Sequence, residues 1–169
     1  MSKIGVAIAI PEPQAASLQE HRIAFGDRQA HAIPVHITLV PPTDVGEDSA
    51  TVEEHLAVVA GKHPPFRIRL RGTATFRPVS PVVFIVLSEG ISMCEQLAVD
   101  ARSGPLEQEL TFPYHPHVTI AHDLDEDALD HAYETLADFD CSFEVQKFQL
   151  FVHDQDGVWR QRRTYLLTG

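Results

Sequence analysis

The sequence predicts an α+β domain built from two copies of one unit, each running strand, helix, strand, helix, strand. The main observation is a short motif that occurs once in each half of the chain, at His36–Leu39 (HITL) and again at His117–Ile120 (HVTI). An approximate two-fold axis between the copies would bring the two motif strands together at one cleft. We therefore expect a single domain over residues 1–169, with intertwined lobes of approximately 1–80 and 81–169.

The spacing around the two motifs supports this pseudo-two-fold duplication. Ile4 and Val83, in the first strands of the two units, precede the motif histidines by nearly equal stretches of chain. Phe66 and Phe143, in the last strands, follow them at similar intervals. Matched elements at matched distances are typical of an internal repeat.

Five elements are predicted in the first half, from apolar residues that alternate in strands and recur with helical spacing in helices. A proline begins the first helix, and Pro41-Pro42 ends the motif strand. Val52, Leu56 and Val59 form the apolar face of the second helix. The elements are a strand at Lys3–Ile10, a helix at Pro13–Gly26, a strand at Pro34–Val40, a helix at Ser49–Gly61 and a strand at Phe66–Phe76.

The second half repeats this order and adds a hairpin. A continuous apolar run predicts a central strand, and acidic residues in the first turn begin the second of its helices. Asp156-Gly157 predicts a tight turn between the last two strands. The elements are a strand at Pro81–Leu87, a helix at Ile91–Ser103, the motif strand His117–Ala121, a helix at Asp125–Ala137, and strands at Phe143–Val152 and Val158–Leu167.

The composition is that of an ordinary globular chain, with 44% apolar and 22% charged residues. No apolar stretch approaches a membrane span, and the segment Ile4–Ile10 is too short for a signal peptide. Cys94 and Cys141 have no metal-binding spacing and are expected to be core residues. We expect a monomeric, cytoplasmic protein with no membrane partner, no cofactor and no metal.

The net charge of −11 is carried by the second half of the chain. Residues 1–84 contain eight acidic and eight basic side chains, and residues 85–169 contain sixteen and five. An acidic protein binds nucleic acid poorly without specific contacts, so a phosphate-bearing ligand must be attracted by a local positive field. Two groups of arginines could supply this positive field: Arg67, Arg69 and Arg71, and Arg160, Arg162 and Arg163. The alternative is that both groups are only the solvated face of a sheet.

Each motif presents an imidazole and a hydroxyl on one face of a strand, because side chains alternate between the two faces. His36 and Thr38 share the polar face of the first motif strand, and His117 and Thr119 share that of the second. With ordinary pKa values near 6.5, one imidazole can take a proton from a nucleophile while the other donates one to a leaving oxygen. Threonine hydroxyls can donate to the non-bridging oxygens of a phosphate. The motifs thus predict phosphodiester cleavage that needs no metal.

The duplicated motif resembles that of the 2H phosphoesterase superfamily, and within it the bacterial RNA 2′,3′-cyclic phosphodiesterases, historically called 2′-5′ RNA ligases. The resemblance covers nearly the whole chain and includes the segment Phe112–Ala121 (FPYHPHVTIA). The second motif is followed by His122-Asp123, where many relatives have an arginine. The resemblance implies a bilobal α+β fold, with antiparallel sheets lining a central cleft and helices outside.

The resemblance also implies roles for individual residues. It assigns acid–base catalysis to His36 and His117 and phosphate binding to Thr38 and Thr119. Phe76, Arg77 and Tyr114 are further candidates for base stacking or phosphate contacts, although the two aromatic residues could equally belong to the core or the rim. His115 has the same face parity as His117, and either supports it or lies on the rim. The implied substrate is an RNA end or a cyclic nucleotide.

Two other functions remain open from the sequence. The spacing His115-x-His117, with His122 and Asp123 nearby, is used by strand-borne metal sites, so a metallohydrolase is one alternative. A non-catalytic RNA- or nucleotide-binding module is the other, although the chain retains all four motif residues. The sequence does not choose the acid and the base between the two histidines, and it does not indicate whether RNA ligation occurs.

Overall fold

The computed structural model describes residues 3–47 and 49–169. This part of the chain contains eight strands and four helices, with short 3₁₀ turns at Arg28–His31 and Gly104–Leu106. The helices are α1 (Gln14–Phe25), α2 (Ser49–Ala60), α3 (Ile91–Ala101) and α4 (Glu126–Thr135). The strands are β1 (Lys3–Ala9), β2 (His36–Asp44), β3 (Phe66–Thr75), β4 (Val82–Glu89), β5 (His117–His122), β6 (Asp140–Val145), β7 (Lys147–His153) and β8 (Trp159–Leu166).

All eight strands form one antiparallel sheet in the order β6-β3-β4-β5-β2-β1-β7-β8. The two motif strands, β2 and β5, are neighbours at its centre, where they are joined by the pair Ile37–Val118. The predicted α+β class and the antiparallel pairing are confirmed. The two expected sheets are the halves of one sheet, which is continuous because β2 and β5 pair directly.

The sheet interleaves the two halves of the sequence. β3, from the first half, pairs with β4 and β6 of the second half. β7, from the second half, pairs with β1 of the first. The helices cross over as well, since α1 contacts β5 and α3 contacts β2. β4 and β1, the first strands of the two units, thus each have an outer neighbour from the other half of the chain: β3 lies next to β4, and β7 lies next to β1.

Two predictions about strand boundaries were wrong. Pro41-Pro42 does not end β2, which continues to Asp44. Val40 pairs with Val6 and Thr43 with Ile4, so the two prolines oppose a single residue of β1 in a bulge. At a bulge the ladder is interrupted, and the missing N–H groups of proline do little harm there.

The predicted strand Phe143–Val152 is in fact two strands, β6 and β7, which are separated by Gln146. β6 pairs with β3 and β7 with β1, near opposite ends of the sheet. The apolar positions change phase at this break, from Phe143 and Val145 before it to Phe148, Leu150 and Val152 after it, and this phase change was the local signal that the prediction missed.

The helices cover one face of the sheet and leave the other open. Ile37 and Leu39 are completely buried, whereas His36 and Thr38, which alternate with them, are half-buried on the opposite face. One fully buried leucine anchors each helix to the core: Leu18, Leu56, Leu97 and Leu129. Burial of one such side chain contributes roughly 1.5–3 kcal/mol. No helix in the described part of the chain is long and apolar enough to cross a membrane.

Candidate active site

The four motif side chains meet at the centre of the open face. Extending the antiparallel pair Ile37–Val118 by one residue in each direction brings His36 opposite Thr119 and Thr38 opposite His117. Side chains directly opposite each other in such a ladder have their Cβ atoms about 4.5–5.5 Å apart. Each histidine therefore has the hydroxyl of the other motif as its cross-strand neighbour.

Both motif histidines are held in the same way. The Nδ1 atom of His36 lies 2.7 Å from the carbonyl oxygen of Pro34, and that of His117 lies 2.6 Å from the carbonyl oxygen of His115. A carbonyl only accepts hydrogen bonds, so each Nδ1 must carry its proton. The second ring nitrogen, Nε2, is then the one that can exchange a proton with a ligand.

Burial lowers the pKa of both histidines. The pKa of His36 falls to about 4, because desolvation outweighs the opposing hydrogen bond to Pro34 and the charges of Arg22, His117 and His153 add to it. Burial also lowers the pKa of His117, again against its backbone hydrogen bond. Both imidazoles are thus neutral near pH 7 when the site is empty.

An apolar cavity of about 490 Å³ opens beside His117 and Thr119. The ring of Phe76 lies edge-on to that of His117, with 5.0 Å between their centroids. Val79 and Phe112, at the mouth, are 71% and 64% exposed. The cavity is large enough for a planar ring and offers aromatic surfaces to it.

A smaller cavity of about 210 Å³ lies beside His36. The ring of Trp159 covers His36, with a centroid distance of 4.6 Å. Thr119 borders both cavities, so the two adjoin at this residue. Six polar side chains line the smaller cavity together with Ile33, Pro41, Pro42 and Trp159: Arg22, Gln29, His36, Thr38, Thr119 and His122.

The structure brings together two of the four further candidates. Phe76 and His115 both line the apolar cavity, and their rings lie 5.5 Å apart. The guanidinium of Arg77 instead forms ion pairs with Glu126 and Asp130 of α4, each at 2.9 Å.

Tyr114 is half-buried, and its hydroxyl donates a hydrogen bond of 2.7 Å to the backbone carbonyl of Thr38. Burial raises the pKa of this phenol, so it stays protonated and remains a donor. Tyr114 therefore ties the segment before β5 to β2.

Sequence reasoning did not find Arg22 and Trp159. Leu18, Arg22 and Phe25 all lie on the buried face of α1, so Arg22 occupies a position that is normally apolar. That irregularity in the helical pattern was the available signal. Trp159 is brought to His36 by the pairing of β8 with β7 and of β7 with β1, and by its backbone N–H, which donates to the carbonyl of Ala32 at 3.0 Å.

Among the described residues, no group of three or more His, Cys, Asp and Glu side chains is arranged to hold a metal ion. The first predicted arginine group does lie on one strand face, where Arg69 pairs with Asp140 and Arg67 with Glu89. Arg160 of the second group pairs with Asp154 and Asp156. These pairs reduce the positive charge that either group offers to a ligand.

We expect Tyr114→Phe to lower the free energy of unfolding by about 1 kcal/mol, since one partly buried hydrogen bond to Thr38 is lost. In a domain of this size that corresponds to a decrease in Tm of roughly 2–4 °C. Thermal unfolding measures the effect, and Tyr133→Phe, at an exposed tyrosine of α4, is the control. Equal Tm values for the Tyr114 variant and the wild type would show that the hydrogen bond from Tyr114 to Thr38 does not stabilise the fold.

Comparison with known proteins gives consistent matches. A family model described as "2'-5' RNA ligase superfamily" matches residues 10–157. An Oceanobacillus iheyensis protein named "Putative phosphoesterase OB1230" is 30% identical over 145 residues, covering 83% of this chain and 84% of that protein. The fold is similar to that of TT0787 from Thermus thermophilus, with a TM-score of 0.71 at 23% identity, over 99% of this chain and 98% of that one. It is also similar to E. coli LigT in a structure described as complexed with ATP, with a TM-score of 0.61 at 25% identity over 99% and 98%.

Proposed function

The chain belongs to the 2′-5′ RNA ligase superfamily, and on this basis we propose that it is a metal-independent phosphodiesterase that hydrolyses 2′,3′-cyclic phosphates of RNA ends or nucleotides. The observation that carries the proposal is the pairing of the two motifs across β2 and β5. The pairing supports a site in which two imidazoles transfer protons through their Nε2 atoms and two hydroxyls bind the phosphate oxygens. In-line displacement at phosphorus uses these groups.

In the proposed reaction, a neutral imidazole takes a proton from water, and the water oxygen forms a bond to phosphorus. The bond from phosphorus to one ribose oxygen breaks, and the protonated imidazole donates its proton to that oxygen. The products are a phosphomonoester and a free ribose hydroxyl. Thr38 and Thr119 donate hydrogen bonds to the non-bridging oxygens, whose negative charge grows in the transition state.

The two cavities support a nucleotide substrate. The apolar cavity beside His117 suits a nucleobase, because stacking of a base on an aromatic ring such as Phe76 is worth about 1–3 kcal/mol. The structure of E. coli LigT described as complexed with ATP is consistent with nucleotide binding. With a net charge of −11 and its sheet arginines paired, the chain suits a small ligand or an RNA end better than a duplex.

RNA ligation uses the same groups. If a ribose 5′-hydroxyl takes the place of water, one imidazole accepts its proton and the 5′-oxygen bonds to phosphorus. The cyclic phosphate opens in the same way, so two RNA ends become joined. We propose this as a second outcome at the same site, favoured when the hydroxyl end is abundant.

The deciding experiment is hydrolysis of 2′,3′-cyclic mononucleotides and of a short RNA with a cyclic phosphate end. Phosphorus NMR shows whether the product is a 2′- or a 3′-phosphate. We expect turnover in the presence of a strong chelator, because two imidazoles supply the acid and the base. No turnover of either substrate would overturn the proposal. Activity that disappears with chelator and returns with zinc or manganese would favour a metallohydrolase.

The pH profile of kcat/KM should be a bell with its maximum below pH 6.5. The productive free enzyme has one neutral and one protonated imidazole, a state that is most populated between the two pKa values. The pKa of His36 is about 4 and that of His117 is lowered from 6.5. Both limbs of the bell should therefore lie at lower pH than they would for two histidines with ordinary pKa values. Above the higher pKa, kcat/KM should fall about tenfold per pH unit.

A bound phosphate favours the protonated imidazoles, so the kcat profile should lie at higher pH than that of kcat/KM. Initial rates from pH 4 to 9 with a cyclic nucleotide test both statements. A kcat/KM profile that is flat over this range, with chemistry rate-limiting, would contradict the two-histidine mechanism.

A further inference from the structure

Arg22 is a buried cation at the edge of the catalytic cavity. It lies on the core-facing side of α1 between Leu18 and Phe25, and only 3% of its surface is exposed. Its side chain also lines the 210 Å³ cavity that contains His36 and Thr38. Burial of a charged group is costly, and replacing a buried ion pair by apolar side chains is often neutral or stabilising. The core packing of α1 therefore does not explain why an arginine stands here.

The turn after α1 fixes the orientation of the guanidinium. Gly26 ends the helix in the left-handed conformation, and the following Asp27 folds back onto Arg22. Nε and Nη2 of Arg22 donate to Asp27 Oδ2 at 3.3 and 3.1 Å, and Nη1 donates to the carbonyl of Ile33 at 3.2 Å. These bonds use three of the five N–H donors of an arginine. Two N–H groups remain for a ligand, since the described residues supply no further acceptor.

The cavity itself suits a phosphate group. None of the side chains that line it is acidic, although the chain as a whole carries a net charge of −11. Its volume of about 210 Å³ lies below the ~300–1,000 Å³ of sites that hold drug-sized ligands. The cavity therefore has room for a phosphoryl group, while the larger cavity beside His117 can hold a nucleoside.

We propose that Arg22 binds the non-bridging oxygens of the phosphoryl group, and that it forms a phosphate subsite with Gln29 and His122 beside the two motif threonines. This inference rests on the proposed function for the identity of the substrate. Arginine N–H groups form short, charge-assisted hydrogen bonds to phosphate oxygens. The anchor by Asp27 keeps the guanidinium in place before the substrate arrives.

The subsite should hold the product more tightly than the substrate. A cyclic phosphodiester carries one negative charge, whereas a phosphomonoester carries close to two at pH 7 because its second pKa is about 6. Inorganic phosphate has the same chemistry, and we expect it to bind in the cavity and to inhibit hydrolysis competitively.

The test is calorimetric titration with inorganic phosphate of the wild type and of two variants that remove one positive charge each. Arg22→Met removes the guanidinium from the cavity and should weaken phosphate binding about 10- to 100-fold. Arg28→Met removes an exposed arginine of the neighbouring 3₁₀ turn that does not line the cavity, and should leave the Kd and the hydrolysis rate unchanged.

A third variant separates ligand binding from a structural role. Asp27→Asn removes the carboxylate that holds Arg22 but leaves the guanidinium in the cavity. If Arg22 serves only to stabilise the fold, Asp27→Asn and Arg22→Met should weaken phosphate binding equally. If Arg22 binds phosphate, Arg22→Met should weaken binding by tenfold or more and Asp27→Asn by clearly less, because the guanidinium is then still in the cavity but less firmly held. Should Arg22→Met fail to fold, Arg22→Lys replaces it, and its loss of the planar fork should still weaken binding several-fold.

Phosphate affinity equal to that of the wild type in the folded Arg22 variant would overturn the inference, as would a wild type that binds no phosphate. Neither result touches the hydrolysis assay, so the proposed function would stand. Conversely, Arg22-dependent phosphate binding in a protein that hydrolyses no cyclic phosphate would support the subsite and overturn the proposed reaction.

Discussion

His36→Ala and His117→Ala should each lower kcat/KM for a 2′,3′-cyclic nucleotide by at least ~10²-fold, because each removes one of the two proton-transfer groups. The loss should fall mainly on kcat, since the phosphate contacts of the threonines remain. The double variant should be only slightly slower than either single variant, because the two histidines act as a unit in the same step. Steady-state kinetics of the three variants measure this directly.

The matched control is His131→Ala, at an exposed histidine of α4 on the covered side of the sheet. It should have wild-type kinetics. Thermal unfolding of all variants checks that the fold persists, in particular for His36→Ala, which loses its ring contact with Trp159. Turnover close to that of the wild type in either folded single-histidine variant would refute the mechanism.

Thr38→Val and Thr119→Val should lower kcat by about 10–10³-fold each, through the loss of one hydroxyl donor to the negative charge that develops on the non-bridging phosphate oxygens. We expect the larger loss at Thr119, because it borders both cavities and so lies where phosphate and nucleoside meet. Each valine keeps the branched shape of the side chain, so the strand and its buried neighbours should be preserved.

Thr38→Ser and Thr119→Ser are the matched controls, since they retain the hydroxyl and remove only a methyl group. They should keep kcat within a few-fold of the wild type. If the serine and valine variants lose the same activity, the hydroxyls are not phosphate donors and the threonines act only through packing.

The α+β class and the chemistry of the motifs could be predicted because both depend on local patterns. Alternation along a strand has a period of two, so His36 and Thr38 had to share a face, with Ile37 on the other. Helix ends also follow from local chemistry: Asp125 was predicted to begin α4, and its side chain accepts a hydrogen bond from the backbone of Ala128.

What the tertiary structure alone decided involves residues that are distant in the chain. The pairing of Ile37 with Val118, which lie in opposite halves of the sequence, aligns the motifs, and no local pattern specifies it. The partners of β6 and β7 were decided in the same way, since the two strands follow each other in the chain and pair near opposite ends of the sheet. Arg22 reached the site through the packing of α1 and the turn at Asp27. Even the pKa of His36, near 6.5 in the free side chain, was set by burial at the junction of the two halves.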